Sequence, residues 1–336
     1  MTGLIGHLLV GPRSHGVVRY AQSVFDAVKA ESADHRLSHT HRIGTGGAAG
    51  LDECALVHVH VTDRLFGRTP RRARENVLAM IAALDRPVSV TLHDLPQPSD
   101  GPGMQARADF FRAVARAATG VIVSSHHEAS LFAEYVDGTI GVEVIPLMFD
   151  TVRVDKPSCS AELTVGVLGY LYPGKGHMET LQAMSDLDPS IGFVALGTPS
   201  PGHEDLADDL GKVAADMGRR CTVTGFLSDD ELFRASTAVT VPVAYHRHMS
   251  ASGSINSWIS AGRRPLVPRT AYTDELAARS PGVLTMHDNN DAALRSAIES
   301  AFANPASTWI DSAVTPSPTA ADVGRAHQRL FRRWTA

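Results

Sequence analysis

Short apolar runs alternate with segments of helical period along most of this chain, and that alternation leaves few folds open. Strands that are each separated by a helix cannot pair as hairpins; they must return by crossovers and line up in parallel. The first series reads as strands at Leu4–Val10, Ala55–Thr62, Pro87–Asp94, Gly120–Ser125 and Val142–Pro146. Helices between them are predicted at Val17–Ala30, Arg71–Leu84, Ala106–Ala118 and His127–Tyr135. The segment His35–Gly50 is rich in Gly and His and shows neither period, so it receives no element. Asp150–Ala161 is polar, contains Pro157 and reads as a linker.

The alternation then restarts. Strands are predicted at Leu163–Leu168, Ile191–Gly197, Cys221–Gly225 and Ala238–Val243, with helices at Met178–Met184, Glu204–Met217 and Asp229–Ala235. Ser250–Pro268 reads as a polar glycine turn, a short helix and a strand. Ala320–Trp334 is a basic amphipathic helix with Val323, His327, Leu330 and Phe331 on one side. The expected architecture is α/β: two Rossmann-like, doubly wound parallel-sheet domains at 1–150 and 151–318, with a terminal helix at 319–336. Two such domains are expected to face each other across a cleft outside the carboxyl ends of their strands, where open sheets bind ligands.

Composition narrows the function. A chain of 336 residues, 43% of them hydrophobic, can bury two cores. A net charge of −5 argues against a general nucleic-acid binder, and Arg71, Arg72 and Arg74 read as a solvated helix face. Cys54, Cys159 and Cys221 have no paired spacing, so neither a disulfide framework nor a cysteine zinc site is expected, which suits a reducing cytosol. The start shows no basic leader, and any membrane association is expected to be peripheral.

The stretch most suited to chemistry is Val165–Met184, VGVLGYLYPGKGHMETLQAM. Gly174, Lys175 and Gly176 sit where an apolar strand meets a helical pattern. A helix opening there would aim backbone N–H groups at an anion, with Lys175 adding a full charge; the plainer reading is a βα turn with a solvated lysine. Gly169, Gly174 and Lys175 also match the spacing of a nucleoside-triphosphatase phosphate loop, but Gly176 stands where that loop needs a hydroxyl for magnesium.

Among other polar residues, His93 falls at a predicted strand end and is a candidate for contact with a reacting group; its bland reading is a turn histidine. His58 and His60 share one strand face without a third ligand and read as core. Asp186 and Asp188 precede a strand rather than follow one and are set aside. Asp229, Asp230 and Glu231 read as helix-capping acids.

Taken in order, these motifs resemble those of a GT-B glycosyltransferase of the family 4 type, across the whole chain. GPRSHGVVRY is similar to that family's first glycine loop, ALVHVHVT and VTLHDLP to its N-domain strands, and GYLYPGKGH to its phosphate loop. VTGFLSDDELF resembles the base-contacting segment, SAGRRPLVP the end of the donor loop, and the terminal helix the one that crosses back to the N-domain.

The resemblance implies His93 and Lys175 as catalytic groups. It implies Gly16, Tyr170, Gly174, Lys175, Gly176, Gly225, Phe226, Leu227, Ser252, Gly253, Ser254 and Ser257 on the donor side, and Arg13, His15 and Asp94 on the acceptor side. Two departures stand out. Tyr170 replaces an arginine common ahead of the lysine, and Met249 and Ser257 occupy the positions of two common glutamates. SASGS offers Ser252, Gly253 and Ser254 instead.

The resemblance therefore implies sugar transfer from a nucleotide-diphosphate donor, UDP- or GDP-linked, to a glycan, lipid-linked or small-molecule acceptor. Retention of configuration, no metal and no separate cofactor are implied with it. The rival readings are a catalytically weak nucleotide-sugar-binding protein of the same fold and a sugar-nucleotide epimerase, for which no acid–base pair can be assigned.

Overall fold

The computed structural model describes residues 3–41, 50–149, 162–246 and 249–336. The chain divides into two compact units, Met1–Met148 with Pro318–Ala336, and Phe149–Ser317. The expected linker Asp150–Ala161 lies outside the described residues.

The first unit is built on β1 (Ile5–Val10), α1 (Gly16–Glu31), β2 (His35–Thr40), β3 (Leu56–Val61), α2 (Asp63–Phe66), α3 (Pro70–Leu84), β4 (Val88–Leu92), α4 (Met104–Ala117), β5 (Gly120–Val123), α5 (His126–Leu131) and β6 (Glu143–Val144). The strands form one parallel sheet in the order β2-β1-β3-β4-β5-β6. β1, β3 and β4 are buried along their whole length, although β3 and β4 alternate apolar residues with His58, His60, Ser89 and Thr91.

β2 is an edge strand, buried only at His35 and polar except for Leu37, as edges that avoid further pairing tend to be, so it lacks an apolar signature. It lies within the segment that received no element; the rest of that segment, 42–49, is outside the described residues. α5 is shorter than expected, and the chain continues through a π-helical turn at Phe132–Asp137.

The second unit contains β7 (Thr164–Leu168), α6 (His177–Ala183), β8 (Gly192–Leu196), α7 (Asp205–Asp216), β9 (Cys221–Val223), α8 (Asp229–Ala238), β10 (Val241–Val243), α9 (Gly253–Ser260), β11 (Leu266–Pro268), α10 (Ala271–Arg279), β12 (Thr285–His287) and α11 (Asp291–Ala303). Its parallel sheet runs β12-β11-β10-β7-β8-β9. Counted within the unit, this is the 3-2-1-4-5-6 order of dinucleotide-binding sheets. α8 extends to Ala238, so the strand expected from there begins only at Val241. The elements from α10 to α11 had no counterpart in the sequence reading; β12 is three residues long, too short for a period to register.

Two arginines staple this unit. Arg263, fully buried, donates to the carbonyls of Ser236, Thr240 and Thr308 and lies over the Trp309 ring at 4.1 Å. Burial lowers its pKa to about 9. Arg219 gathers the carbonyls of Met184, Leu187, Asp188 and Ile191. Both satisfy backbone groups that the loops between elements would otherwise bury unpaired.

The terminal helix α12 (Ala320–Trp334) belongs to the first unit and lies along α1. Val323, His327, Leu330 and Phe331 are all buried, as its amphipathic pattern requires. The two helices approach so closely that a Cβ on Gly324 would stand 2.6 Å from the Ala27 carbonyl oxygen. Ion pairs from Arg325 to Glu31 and from Arg333 to Glu143 are largely exposed and add little. Gly324→Ala is therefore expected to lower the unfolding midpoint: the higher helix propensity of Ala contributes about 1 kcal/mol, but overpacking costs about 1 to 3 kcal/mol. A thermal melt with an unchanged or raised midpoint would show that the seam can yield.

Candidate functional site

In the second sheet the chain leaves β7 toward β8 on one side and later places β10 on the other, so the crevice between β7 and β10 is a topological switch point. Three loops lie there or beside it: residues 169–176 after β7, the described residues 244–246 and 249–252 after β10, and 197–204 after β8.

The first two loops touch. Gly176 has φ +93, and a Cβ there would stand 2.1 Å from the Tyr245 carbonyl oxygen. No serine or threonine fits, so the triphosphatase reading fails on space as well as on chemistry. The approach also turns Lys175 inward. It is only 8% exposed, and its ammonium donates to Ser254 Oγ at 2.9 Å. The plain reading of a solvated lysine is thus wrong.

Ser254 Oγ is in turn 3.1 Å from Ser252 Oγ, which accepts from the Ile255 amide at 3.3 Å and so caps α9. Capping leaves the Gly253 and Ser254 amides at the open end of that helix. The helix expected after the lysine loop is present as α6 and is seven residues long; α9, eight residues long, opens beside Lys175 through Ser254.

The remaining donor-side candidates are distributed around this core. Gly174 is exposed in the β7 loop. Tyr170 and Tyr172 are 41% and 44% exposed, with the Lys175 ammonium 5.9 Å from the Tyr172 ring centroid. Gly225 follows β9, its amide bonded to the Gly197 carbonyl. Phe226 next to it is 63% exposed, an aromatic face open to stacking, while Leu227 packs against the core. Met249 is buried in that same core, and the Ser257 hydroxyl donates back to the Gly253 carbonyl, so neither glutamate position offers a carboxylate.

Sequence reasoning missed His177 and His246. Both are buried; neither His177 nitrogen nor His246 Nε2 has a partner among the described residues. Burial pushes the His177 pKa down to about 3, with the Lys175 charge helping; His246 is also pushed down, by burial first and then by Lys175 and His177. The only signal was adjacency to the lysine, and only for His177.

The dismissed acids are accounted for. Asp186 pairs with Arg295, Asp188 accepts from the Ser190 amide at 2.8 Å, and Glu231 closes a capping box with Ser228 on α8.

In the first unit, β1 and β3 flank the corresponding switch point. The loop after β1 carries the exposed Arg13 and ends at His15, whose Nδ1 accepts from the Val17 amide at 3.2 Å and caps α1; the exposed Gly16 is the first residue of that helix. His93, following β4, is buried, with its Nε2 3.0 Å from His60 Nδ1 and the two rings stacked at 5.2 Å. Burial lowers its pKa to about 4; the Asp94 carboxylate opposes this and His15 adds to it. Those effects bring His15, His93 and Asp94 into one electrostatic neighbourhood. Asp94 takes a left-handed φ of 55, and its carbonyl accepts from Arg107, which is itself held by Asp63 and Asp100.

His58 and His60 are core residues. His58 is bonded at both nitrogens, to Ser89 Oγ at 2.9 Å and Thr91 Oγ1 at 3.0 Å. They belong to a wider array beneath α12. His7 Nε2 meets His35 Nδ1 at 3.0 Å, His35 Nε2 meets Gln328 Oε1 at 2.6 Å, and His327 Nδ1 meets the Val323 carbonyl at 2.9 Å. Among the described residues no cluster of His, Cys, Asp and Glu could hold a metal ion. No helix among them is long and apolar enough to cross a membrane.

No protein-family model and no curated protein matches the chain. Solved structures do. Anabaena HepE in complex with UDP-glucose is 16% identical, with a TM-score of 0.68 over 99% of this chain and 98% of its own. Sucrose-phosphate synthase from Thermosynechococcus elongatus is 14% identical, with a TM-score of 0.68 over 99% and 94%. A glycosyltransferase from Rickettsia africae is 12% identical, with a TM-score of 0.59 over 99% and 93%. At such identities the likeness is one of fold: the chain has the two-domain, Rossmann-like GT-B fold.

The histidine array makes the first unit sensitive to acid. Burial holds His7, His58 and His60 well below 6.5, and His93 and His327 at about 4. Between the folded and unfolded values the unfolded chain binds more protons, so stability is complete above about pH 6.5 and falls as pH drops toward 4. Each such histidine contributes up to about 1.4 kcal/mol per pH unit in that window. Denaturant melts should show the midpoint falling between about pH 7 and about pH 5.5. A flat midpoint would mean that these rings protonate in place.

Proposed function

We propose that the protein is a glycosyltransferase that moves a sugar from a UDP- or GDP-linked donor, with retention and without a protein-bound metal. The observation that supports this most is the buried Lys175 ammonium held on Ser254 at the β7–β10 switch point. A cation kept out of water in a strand-end crevice is costly to bury and well suited to an anion that displaces water around it. A departing diphosphate is such an anion, and positive charge with N–H donors can stabilise it without magnesium. Anabaena HepE, with the same fold, binds UDP-glucose.

In this reading Lys175, Gly174, Gly176 and the Gly253 and Ser254 amides hold the diphosphate. Phe226, flanked by Gly225 and Leu227, stacks on the base. Tyr170, Ser252 and Ser257 border the donor. His93 is uncharged at neutral pH and acts as a hydrogen-bonding partner of the transferring sugar, not as a cation. Arg13, His15 and Asp94 form the acceptor side. The units 1–148 and 149–317, split by sequence at 150 and 151, take the acceptor and donor roles.

A second reading, a nucleotide-sugar-binding protein with weak turnover, is favoured by one observation: Met249 and Ser257 leave the donor loop without a carboxylate. Donor hydrolysis in the presence of chelator separates the two. The transferase reading expects slow release of sugar without acceptor; binding without any release favours the second.

Lys175→Met keeps an unbranched side chain one atom shorter and removes its charge. Turnover should fall by about 100- to 1000-fold, the usual cost of losing an oxyanion contact, while the unfolding midpoint should not fall, since an unfavourably buried charge is gone. A Lys175→Met protein that turns over within a few-fold of the parent would remove the basis of this assignment.

A further inference from the structure

Lys175 is the one full charge assigned to the diphosphate, because Tyr170 stands where a second cation would be useful. Two imidazoles lie beside it. His177 follows Gly176, whose backbone abuts Tyr245, and His246 follows Tyr245, so the contact between the two loops brings both rings within electrostatic reach of the Lys175 ammonium and of each other. Each is 5% exposed. Both nitrogens of His177 and Nε2 of His246 lack a partner among the described residues, which is expensive for polar atoms in a packed interior.

Among the described residues, no carboxylate meets either nitrogen of His177 or Nε2 of His246. Asp291 on α11 is engaged by the Tyr245 hydroxyl at 3.0 Å, His287 stacks on the Tyr245 ring at 5.6 Å, and the α9 groups nearby are the neutral Ser252 and Ser254. Glu179, in the first turn of α6, is half-buried and has its own interaction. Arg247 and His248, which come next in the chain, lie outside the described residues.

We propose that His177 and His246 complete the diphosphate site as a proton-linked pair: neutral in the free protein, they take up one proton between them when a nucleoside-diphosphate sugar binds at Lys175. This rests on the donor-site reading above. The physical reason is a reversal of sign. Without ligand the nearest charge is the Lys175 ammonium, which disfavours an imidazolium; a bound pyrophosphate outweighs that cation and favours one. Protonation then gives the unpartnered nitrogens a use, as donors to phosphate oxygens, and supplies the second positive charge that Tyr170 does not.

The test is isothermal titration calorimetry with UDP-glucose, and with GDP-mannose if UDP-glucose gives no heat. The pyrophosphate of either probe is a diester with no ionisation near neutrality, so any proton taken up comes from the protein. In two buffers of different ionisation enthalpy, the observed heat should differ by an amount equal to uptake of about one proton. Affinity should weaken by up to about tenfold per pH unit as pH rises above neutrality. The His177→Asn/His246→Asn double variant should bind more weakly, with buffer-independent heat. If the parent binds with buffer-independent heat and pH-independent affinity, the pair is not proton-linked and the proposal fails, while the donor site stands. If neither probe binds the parent, the donor-site reading fails and takes this proposal with it.

Discussion

The contact between the Gly176 backbone and the Tyr245 carbonyl sets the rest of the candidate site. It draws the loop after β7 against the loop after β10, and only a residue with neither Cβ nor a φ restriction permits it. The lysine end of the candidate donor site follows from that approach: Lys175 is turned off the surface onto Ser254, His177 is buried behind it, and His246 lies within electrostatic reach of the same charge from the other loop. The topology explains why the contact forms where it does. β7 and β10 are neighbours in space but separated in sequence by two βα units, and their outgoing chains diverge, leaving a crevice that the loops must either fill or line.

The fold was legible from sequence because its central strands are buried on both faces. β1 and β7 are mainly apolar, β3 and β4 alternate apolar with polar residues, and the helices between them keep one apolar stripe. The same logic explains the omissions. β2 is a polar edge, β12 is three residues long, and neither presents the pattern on which the reading depends. Arg263 and Arg219 were invisible for a different reason: they serve carbonyls scattered across distant loops, and no local pattern marks an arginine that folds inward.

For the site, sequence order located Lys175, Gly176, Ser252 and Ser254 but not their joint geometry. That Lys175 is buried follows from the Gly176 contact, which pairs residues on two loops. His246 shares no motif with the lysine and becomes visible only when the loops meet. His58 and His60 show the reverse case: a spacing that suggests a metal is absorbed by Ser89, Thr91 and His93 into a hydrogen-bonded core. Such burial of neutral imidazoles, with α12 closing over them, ties the terminal helix to the sheet through Gln328 as well as through Phe331.

The central claim is that a nucleotide sugar binds at the β7–β10 switch point of the second unit. Hydrogen–deuterium exchange with and without saturating UDP-glucose or GDP-mannose tests it without relying on any variant. The account predicts slowed exchange in peptides spanning 169–176 and 250–256, with a smaller effect at 224–228, while the edge of the sheet at β12 is unchanged. Protection confined to other segments, with 169–176 and 250–256 exchanging as in the free protein, would contradict it.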